Sequence, residues 1–272
     1  PLPPGSAVEF ARFFHYSRNV QIESERDLRG MWQVGQVCGL TLKRMLDSAE
    51  AGMSTRDLDD IGRDCLFEMG ALSAPLQAYD FPAYTCISLN DEAAHGVPRK
   101  DRFIRAGDLL NVDVSAVLDG YWGDTGATII VPPLQKRLVR LCDAARRALG
   151  LAIQMARPGV RVNAIGRAVE TYARRRGYRT FRELGGHGVG RHIHEEPTIP
   201  NHYHRRNRAV LRDGMALTLE PFLCTGKGRI NTATDGWTLR SVDGGLSAQY
   251  EHTVIINGEE PILVTKVAGG YV

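Results

Sequence analysis

The stretch Leu109–Val131, LLNVDVSAVLDGYWGDTGATIIV, decides the fold. Two apolar runs rich in β-branched residues flank Asp119-Gly120, a dipeptide typical of a two-residue hairpin loop. The stretch therefore predicts a long antiparallel β-hairpin. With Asp119 and Gly120 as the loop, the expected cross-strand pairs are Leu118 with Tyr121, Ser115 with Asp124, and Asp113 with Gly126.

The hairpin carries two carboxylates on one face. Side chains alternate between the faces of a strand, so Asp113, Ser115 and Asp124 share a face. The two aspartates become diagonal neighbours with backbones about 7–8 Å apart, too far for direct contact but suited to holding a cation between them. Like charges on a buried face repel and are costly to desolvate. A metal site is one interpretation, and a solvent-exposed face with two hydrated aspartates is the other.

The composition is that of an ordinary globular protein. The chain has 272 residues, of which 43% are hydrophobic and 24% charged, enough for one large or two small domains. A net charge of +3 is too small to indicate a specific nucleic-acid partner. We expect no membrane segment and no secretory signal, because no apolar run has the required length or flanks. The cysteine count is odd and contains no CxxC pair, which predicts reduced thiols in a cytoplasmic protein.

Apolar periodicity predicts four helices, at about residues 24–50, 54–69, 134–156 and 163–176. We expect loop and strand at 71–89 and a turn at His95–Pro98. The order of elements in the first half repeats in the second, weakly in identity but consistently in apolar pattern. The repeat predicts two similar α/β halves, about 24–131 and 132–260, after a partly extended arm at 1–23.

The repeat places a carboxylate of each half at the same point of equivalent strands, because Asp113 falls on Glu220. Two further candidates are Glu251, in an apolar run that we expect to be one strand, and His187, between glycines. Alone, a strand carboxylate is ordinarily exposed and a histidine among glycines is ordinarily a turn residue. Together with Asp124 they form a set of hard ligands that fits Mn, Fe, Co or Zn, and four negative charges suit two divalent ions better than one.

The same residues stand in motifs that resemble the type I methionine aminopeptidases, a family with the pita-bread fold. The motifs extend over about residues 24–256, nearly the whole chain. They are Asn90–Pro98 (NDEAAHGVP), Asn111–Asp113 with Gly123–Thr125, Gly186–Arg191 (GHGVGR), His194–Pro197 (HEEP), Thr218–Pro221 (TLEP), Asp235–Trp237 (DGW) and Ser247–His252 (SAQYEH). The resemblance implies an α+β fold, with two pseudo-symmetric α/β halves around a central sheet rich in antiparallel strands, in a single catalytic domain at 24–272.

The resemblance also implies the chemistry of the site. It implies removal of an N-terminal methionine when the second residue is small, with two divalent ions of Co, Mn, Fe or Zn. Glu220 would also move a proton, His194 would donate to the scissile carbonyl oxygen, and His95 would contact the scissile amide nitrogen. The implied metal ligands are Asp113, Asp124, His187, Glu220 and Glu251.

Five residues are expected to line an apolar slot for the methionine side chain: Tyr79, Phe81, Cys86, Ile193 and Trp237. For Tyr79, plain core packing is an equal alternative. The sequence departs from the family near this slot, because many members have an aromatic residue at Ile193, bacterial members often have cysteine at Gly185, and segment 76–82 looks about one residue shorter. These departures concern the shape of the slot and leave the metal ligands intact.

Two alternatives stay open at this point. One is a proline-specific peptidase of the same fold; such enzymes usually carry an extra N-terminal domain, whereas the first long helix here is expected at about residue 24. The other is a binding protein that has lost catalysis, although no metal ligand is missing. For the aminopeptidase, the partners are peptide and nascent-chain N-termini; we expect a monomer, and a contact with the ribosome stays open.

Overall fold

The computed structural model describes residues 22–272, so nearly all of the arm predicted at 1–23 lies outside the described residues. The described part contains five helices: α1 Glu25–Ser48, α2 Thr55–Glu68, α3 Ala74–Tyr79, α4 Lys136–Met155 and α5 Val162–Arg175. The strands between α2 and α4 are β1 Leu72–Ser73, β2 Cys86–Leu89, β3 Glu92–Ala94, β4 Leu109–Leu118 and β5 Tyr121–Ile130. The strands after α5 are β6 Arg179–Thr180, β7 Gly185–Gly188, β8 Glu195–Pro200, β9 Ala216–Leu219, β10 Phe222–Cys224, β11 Ile230–Thr232, β12 Leu239–Ser241, β13 Ser247–Gln249, β14 His252–Ile255 and β15 Ile262–Leu263.

The predicted hairpin is strands β4 and β5, and its register is confirmed. Leu118 pairs with Tyr121, Ser115 with Asp124, and Asp113 with Gly126. Asp119 and Gly120 both have positive φ, 50° and 76°. Two consecutive positive φ values define the type I′ turn, whose twist matches that of the flanking strands.

The four predicted helices are confirmed within a few residues, as α1, α2, α4 and α5. Serines cap the first two, since the Ser24 and Ser54 side chains accept hydrogen bonds from backbone N–H groups three residues later. The expectation of loop and strand throughout 71–89 is wrong for α3. That short helix starts with Ser73 as its N-cap and Pro75 in its first turn, where proline's missing N–H costs nothing.

The strands form antiparallel sheets, which confirms the α+β class. The four-stranded sheet has the order β1-β4-β2, with β5 paired to β4, and the five-stranded sheet has the order β15-β14-β9-β7-β8. Two smaller sheets have the orders β13-β10-β6 and β11-β12-β3. Helix α1 packs on the hairpin, where Gly123 allows a close approach: a Cβ there would lie 3.3 Å from Val34 Cγ1. The division into halves near residue 131 stays a prediction.

Two neighbouring strands break at the same level. Residues 220–221 separate β9 from β10, and residues 250–251 separate β13 from β14. The pair Leu219–His252 lies on one side of the break in one sheet, and the pair Phe222–Gln249 lies on the other side in another sheet. The prediction that Glu251 lies within one continuous strand is therefore wrong, because Glu251 occupies the break.

The edge of β5 lies against this break. Glu251 donates its N–H to the carbonyl of Gly126 at 2.8 Å, and the Thr125 hydroxyl donates to the carbonyl of Glu251 at 2.7 Å. Thr253 Oγ1 accepts the N–H of Asp124 and donates to its carbonyl. The hairpin thus supplies hydrogen-bond partners that the interrupted ladder lacks. Within residues 22–272, no helix is both long and apolar enough to cross a bilayer.

Asp59 anchors the segment that leads into β2, and replacing it should destabilise the protein. Its fully buried carboxylate accepts hydrogen bonds from the N–H groups of Tyr84 and Thr85 and from the Thr85 hydroxyl. Asp59→Ala leaves these buried donors unpaired, so we expect the free energy of unfolding to fall by at least about 1–3 kcal/mol in urea titrations. The control Asp64→Ala removes an exposed carboxylate of the same helix and should cost less than about 1 kcal/mol. Equal losses for the two variants would contradict this role.

Candidate metal centre

The structure brings all five predicted ligands together where the hairpin meets the strand break. Asp113 and Asp124 come from β4 and β5, His187 from β7, and Glu220 and Glu251 from the two breaks. His187 Nε2 lies 3.5 Å from Glu220 Oε1 and 3.8 Å from Asp124 Oδ2. Ligand atoms of Asp124, His187 and Glu251 all lie within 4.8 Å of one another. We call these five residues the ligand cluster.

The His187 ring is oriented for ligation through Nε2. Its Nδ1 lies 2.9 Å from the carbonyl of Gly188. A carbonyl can only accept, so Nδ1 carries the proton and Nε2 presents its lone pair to Asp124 and Glu220. Burial lowers the pKa of His187 to about 4, so the ring is neutral at pH 7.

Neighbouring side chains hold one oxygen of most ligand carboxylates. Ser115 Oγ donates to Asp124 Oδ1 at 2.8 Å, and Gln249 Nε2 donates to Glu251 Oε2 at 2.9 Å. Thr218 Oγ1 accepts the His187 N–H and donates to Glu220 Oε1, both at 3.0 Å. Such outer partners orient ligands before an ion arrives.

Thr218 and Gln249 were not predicted to belong to the site, although the sequence contains a signal for them. Each precedes a ligand glutamate by two positions, Glu220 and Glu251, and residues two apart share a strand face. Gln249 is further fixed by Asn111, whose Nδ2 lies 2.8 Å from its Oε1. A polar residue two positions before a buried ligand glutamate thus indicates a hydrogen-bond partner for that glutamate.

In the described part of the chain, the ligand cluster brings four carboxyl groups together without a basic side chain to balance their charge. Within residues 22–272, no lysine or arginine forms a salt bridge with its four carboxylates. Burial, and then the charges of Glu251 and Asp113, raise the pKa of Asp124 well above its usual value. Burial likewise raises the pKa of Glu220, with Asp124 adding repulsion, and the pKa of Glu251, with Glu220 adding repulsion.

One expectation about this cluster is wrong. The backbone spacing suggested that Asp113 and Asp124 are too far apart for direct contact. Burial raises the pKa of Asp113 to about 6, and a side-chain hydrogen bond with Asp124 opposes part of that rise, so the two carboxyl groups meet. Side-chain rotamers bring the oxygens closer than the diagonal backbone distance implies.

Two buried oxygens are available for an ion. Asp113 Oδ1 and Glu251 Oε1 are inaccessible to solvent and have no hydrogen-bond partner within the described residues. A buried carboxylate oxygen without a partner is costly unless it binds a cation. Hard oxygen ligands with one imidazole therefore fit a divalent ion.

The two predicted catalytic histidines lie beside the cluster. The ring of His194 lies 4.1 Å from that of His187, centroid to centroid. His95 follows β3 with φ 55°, and its proximity contributes to the lowered pKa of both His187 and His194. Burial lowers the pKa of His95 itself to about 4. Their assignment as catalytic residues stays a prediction.

Three of the five predicted slot residues form one apolar cluster beside the carboxylates. Phe81 and Trp237 meet edge to face at 5.2 Å, and Cys86 is the cross-strand partner of Asp113. The same cluster includes Ala83 and Val97, which the sequence analysis did not single out. We call it the aromatic slot.

The other two predicted slot residues are placed differently. Ile193 belongs to the main hydrophobic core, and Tyr79 packs at the edge of that core. The Tyr79 hydroxyl lies 2.5 Å from His194 Nδ1, a polar contact that an apolar wall does not require. The role of all five in substrate binding stays a prediction.

Comparisons with known proteins agree with this geometry. Residues 29–258 match the model of metallopeptidase family M24. The chain is 43% identical to "Methionine aminopeptidase 2" of Bacillus subtilis over 247 residues, covering 90% of this chain and 99% of that protein. It superposes on the crystal structure of methionine aminopeptidase from Thermotoga maritima with a TM-score of 0.87 and 31% identity, covering 91% and 100% of the two chains. The resemblance and the pita-bread fold expected from the sequence are thereby confirmed.

The fold is shared more widely. Prolidase from Pyrococcus furiosus superposes with a TM-score of 0.74, but at 20% identity that likeness shows the fold alone. The match covers 92% of this chain and 66% of the prolidase.

Metal binding at pH 6 should release protons. The raised pKa of each ligand carboxyl, about 6 for Asp113, keeps protons on the metal-free cluster at a pH where free aspartate has none. His187, with its pKa lowered to about 4, is already deprotonated and releases nothing. Protons therefore compete with the ion, and affinity should fall as the pH is lowered from 7 to 5.

The measurement is titration calorimetry of the metal-free protein with Mn²⁺ in buffers of different ionisation enthalpy. We expect at least one proton released at pH 6 and fewer at pH 8. Asp113→Asn should release fewer at pH 6, whereas Glu259→Gln, which alters an exposed carboxylate, should match the parent. Binding of Mn²⁺ without proton release at any pH in this range would contradict the raised pKa of the ligand carboxyl groups.

Proposed function

The chain belongs to metallopeptidase family M24, and from this premise we propose how its ligand cluster works. The protein is a metal-dependent aminopeptidase that removes the N-terminal methionine from peptides. The observation that carries the proposal is the buried cluster of four carboxylates and one neutral imidazole, beside an apolar slot. The exact number of ions and their identity belong to the proposal: two divalent ions of Mn, Co, Fe or Zn.

The residues fit such ions. Asp113, Asp124 and Glu251 would hold one ion, and Asp124, His187, Glu220 and Glu251 the other, so that Asp124 and Glu251 are shared. The partnerless oxygens of Asp113 and Glu251 support this assignment. Divalent ions, when bound, lower the pKa of water to about 7 and stabilise developing negative charge.

The protein's own groups would orient the peptide and move protons. Glu220, with its raised pKa and a hydroxyl of Thr218 on Oε1, can accept and return a proton beside the scissile bond. His194 would donate to the carbonyl oxygen as charge develops on it. His95, held in a left-handed conformation, would contact the scissile amide nitrogen.

The aromatic slot would receive the methionine side chain. Trp237 is partly exposed, whereas Phe81 is almost fully buried, so the slot has an open and a closed end. Thioethers pack favourably against aromatic edges, which the perpendicular Phe81 and Trp237 rings provide. Since Cys86 pairs with Asp113, a side chain in this slot places its α-amine close to the hairpin carboxylates.

A proline-specific activity is the weaker alternative, because the prolidase comparison supports the fold only. A cytoplasmic enzyme acting on nascent chains is part of the proposal, supported by five unpaired cysteines. A monomeric state and a ribosome contact stay predictions.

Activity should depend on the ligand cluster. We expect EDTA to abolish release of methionine from Met-Ala-Ser and added Mn²⁺, Co²⁺ or Fe²⁺ to restore it. Asp113→Ala or Glu251→Ala should lower both metal content and turnover by more than about 100-fold, beyond the effect of losing an outer partner. Glu259→Gln is the exposed control. Full turnover in metal-free enzyme would contradict the site, and cleavage of Ala-Pro-Ala in place of Met-Ala-Ser would favour the proline-specific alternative.

The second residue of the substrate should be small, because His95 directly follows the buried strand β3 and its neighbour Gly96 packs against the backbone of β2 at Ile87. Peptides with Gly, Ala, Ser, Thr, Val, Pro or Cys after methionine should be cleaved. Those with Leu, Lys or Phe should react at least about tenfold more slowly in kcat/KM. Equal rates for Met-Ala and Met-Lys peptides would refute this selectivity.

The two histidines should affect catalysis without affecting metal content. His194→Ala should lower kcat and kcat/KM together by about 10²–10³-fold, as for loss of one donor to a developing oxyanion. His95 is tested better as His95→Asn, because asparagine tolerates the left-handed backbone found there. His192→Ala, an exposed neighbour, is the control. Elemental analysis that finds metal lost from His194→Ala would move His194 into the ligand shell.

A further inference from the structure

We propose that Tyr79 is a positioning residue for His194: its hydroxyl donates a hydrogen bond to Nδ1 and thereby keeps the imidazole proton on Nε2. This tautomer can donate to the substrate carbonyl, so the inference rests on the role given to His194 in the proposed function. It is an alternative to the two sequence-based interpretations of Tyr79, as part of an apolar slot or as plain core packing.

The contact joins two distant parts of the chain. Tyr79 Oη lies 2.5 Å from His194 Nδ1, and the ring centroids are 5.6 Å apart with a 50° tilt. Tyr79 is the last residue of α3, a helix held at its start by Ser73. The Ser73 hydroxyl accepts the Leu76 N–H and donates to the Tyr84 carbonyl at 2.7 Å. The Tyr79 phenol therefore extends from a helix whose start is anchored by hydrogen bonds.

Chemistry decides the direction of this hydrogen bond. Either the phenol donates to a bare Nδ1, or an Nδ1–H donates to the phenol oxygen. Tyrosine has a pKa of about 10 and is neutral near pH 7. A phenol O–H is a better donor than a neutral imidazole N–H, and an imidazole nitrogen is a better acceptor than a phenol oxygen. The arrangement O–H···Nδ1 is therefore favoured, and Nε2 carries the proton.

The neighbouring His187 shows the opposite arrangement. Its Nδ1 faces the carbonyl of Gly188, which can only accept, so its Nε2 is bare and suited to a metal. The rings of His187 and His194 are 4.1 Å apart. Two adjacent imidazoles thus receive different roles, ligand and donor, from the different partners of their Nδ1 atoms.

The backbone around His194 is held independently of Tyr79. The buried Glu195 carboxylate accepts the N–H groups of Arg191 and His192, both at 2.7 Å. The carbonyl of Gly190 accepts the N–H of Trp122 in the hairpin. Removing the Tyr79 hydroxyl should therefore change the state of the His194 ring without displacing its loop.

The first experiment reads the tautomer directly and needs no activity. Long-range ¹H–¹⁵N spectra of protein labelled at histidine nitrogens, metal-free and loaded with Zn²⁺, should show His194 with a protonated Nε2 and a bare Nδ1. His194→Ala assigns the signals. In Tyr79→Phe the two tautomers should mix, whereas Tyr84→Phe, which removes a hydroxyl elsewhere in the same segment, should match the parent. A protonated Nδ1 in the parent would overturn the proposal.

The second experiment separates positioning from slot lining. With Met-Ala-Ser, Tyr79→Phe should lower kcat by roughly 5- to 30-fold, the effect expected for one hydrogen bond, with little change in KM and full metal content. In a His194→Ala background the same substitution should have no further effect. A raised KM with unchanged kcat in both backgrounds would make Tyr79 a wall of the slot. Absence of methionine release from the parent would contradict the proposed function but would leave the tautomer measurement interpretable.

Discussion

Desolvation of four carboxylates at one point is the constraint on which the rest of this structure depends. Like charges in a buried site repel strongly, and a carboxylate that leaves water needs a partner. The described protein offers the cluster no lysine or arginine, and its hydrogen bonds leave Asp113 Oδ1 and Glu251 Oε1 without partners. Divalent cations resolve both problems at once. The rigid strands and outer hydrogen bonds around the cluster can then be understood as the framework that keeps the charges together.

The strand break brings Glu220 and Glu251 to the ligand cluster. A ladder that ran through 220–221 and 250–251 would direct alternate side chains to opposite faces and use every N–H in pairing. Pro221 has no N–H, so the ladder can stop there without an unsatisfied donor. On the opposite strand, Glu251 N–H bonds to Gly126 instead. Glu220 and Glu251 are thereby released from the ladder toward the hairpin.

Local sequence patterns were enough to predict most of the fold and the members of the ligand cluster. The features that they missed depend on contacts between distant parts of the chain. The hairpin register follows from a two-residue turn and a two-residue period, which act over a few positions. Helix α3 was missed although Pro75 is a start signal, because six residues are too few for a periodic pattern. The break at Glu251 depends on what lies against the strand. The Tyr79–His194 contact spans 115 positions, and no local pattern indicates that an aromatic residue will meet an imidazole.

Burial acts on the two kinds of titratable group in opposite directions, and this keeps the site selective for cations. It lowers the pKa of His95 and His187 to about 4, while it raises the pKa of the surrounding carboxyl groups. A protonated imidazole would form an internal ion pair with a ligand carboxylate and would compete with a metal ion for that carboxylate. A neutral imidazole does not compete and remains available as a ligand or hydrogen-bond donor. The carboxyl groups, in turn, carry their full charge only as an ion replaces their protons, so the site develops its negative charge together with the cation that balances it.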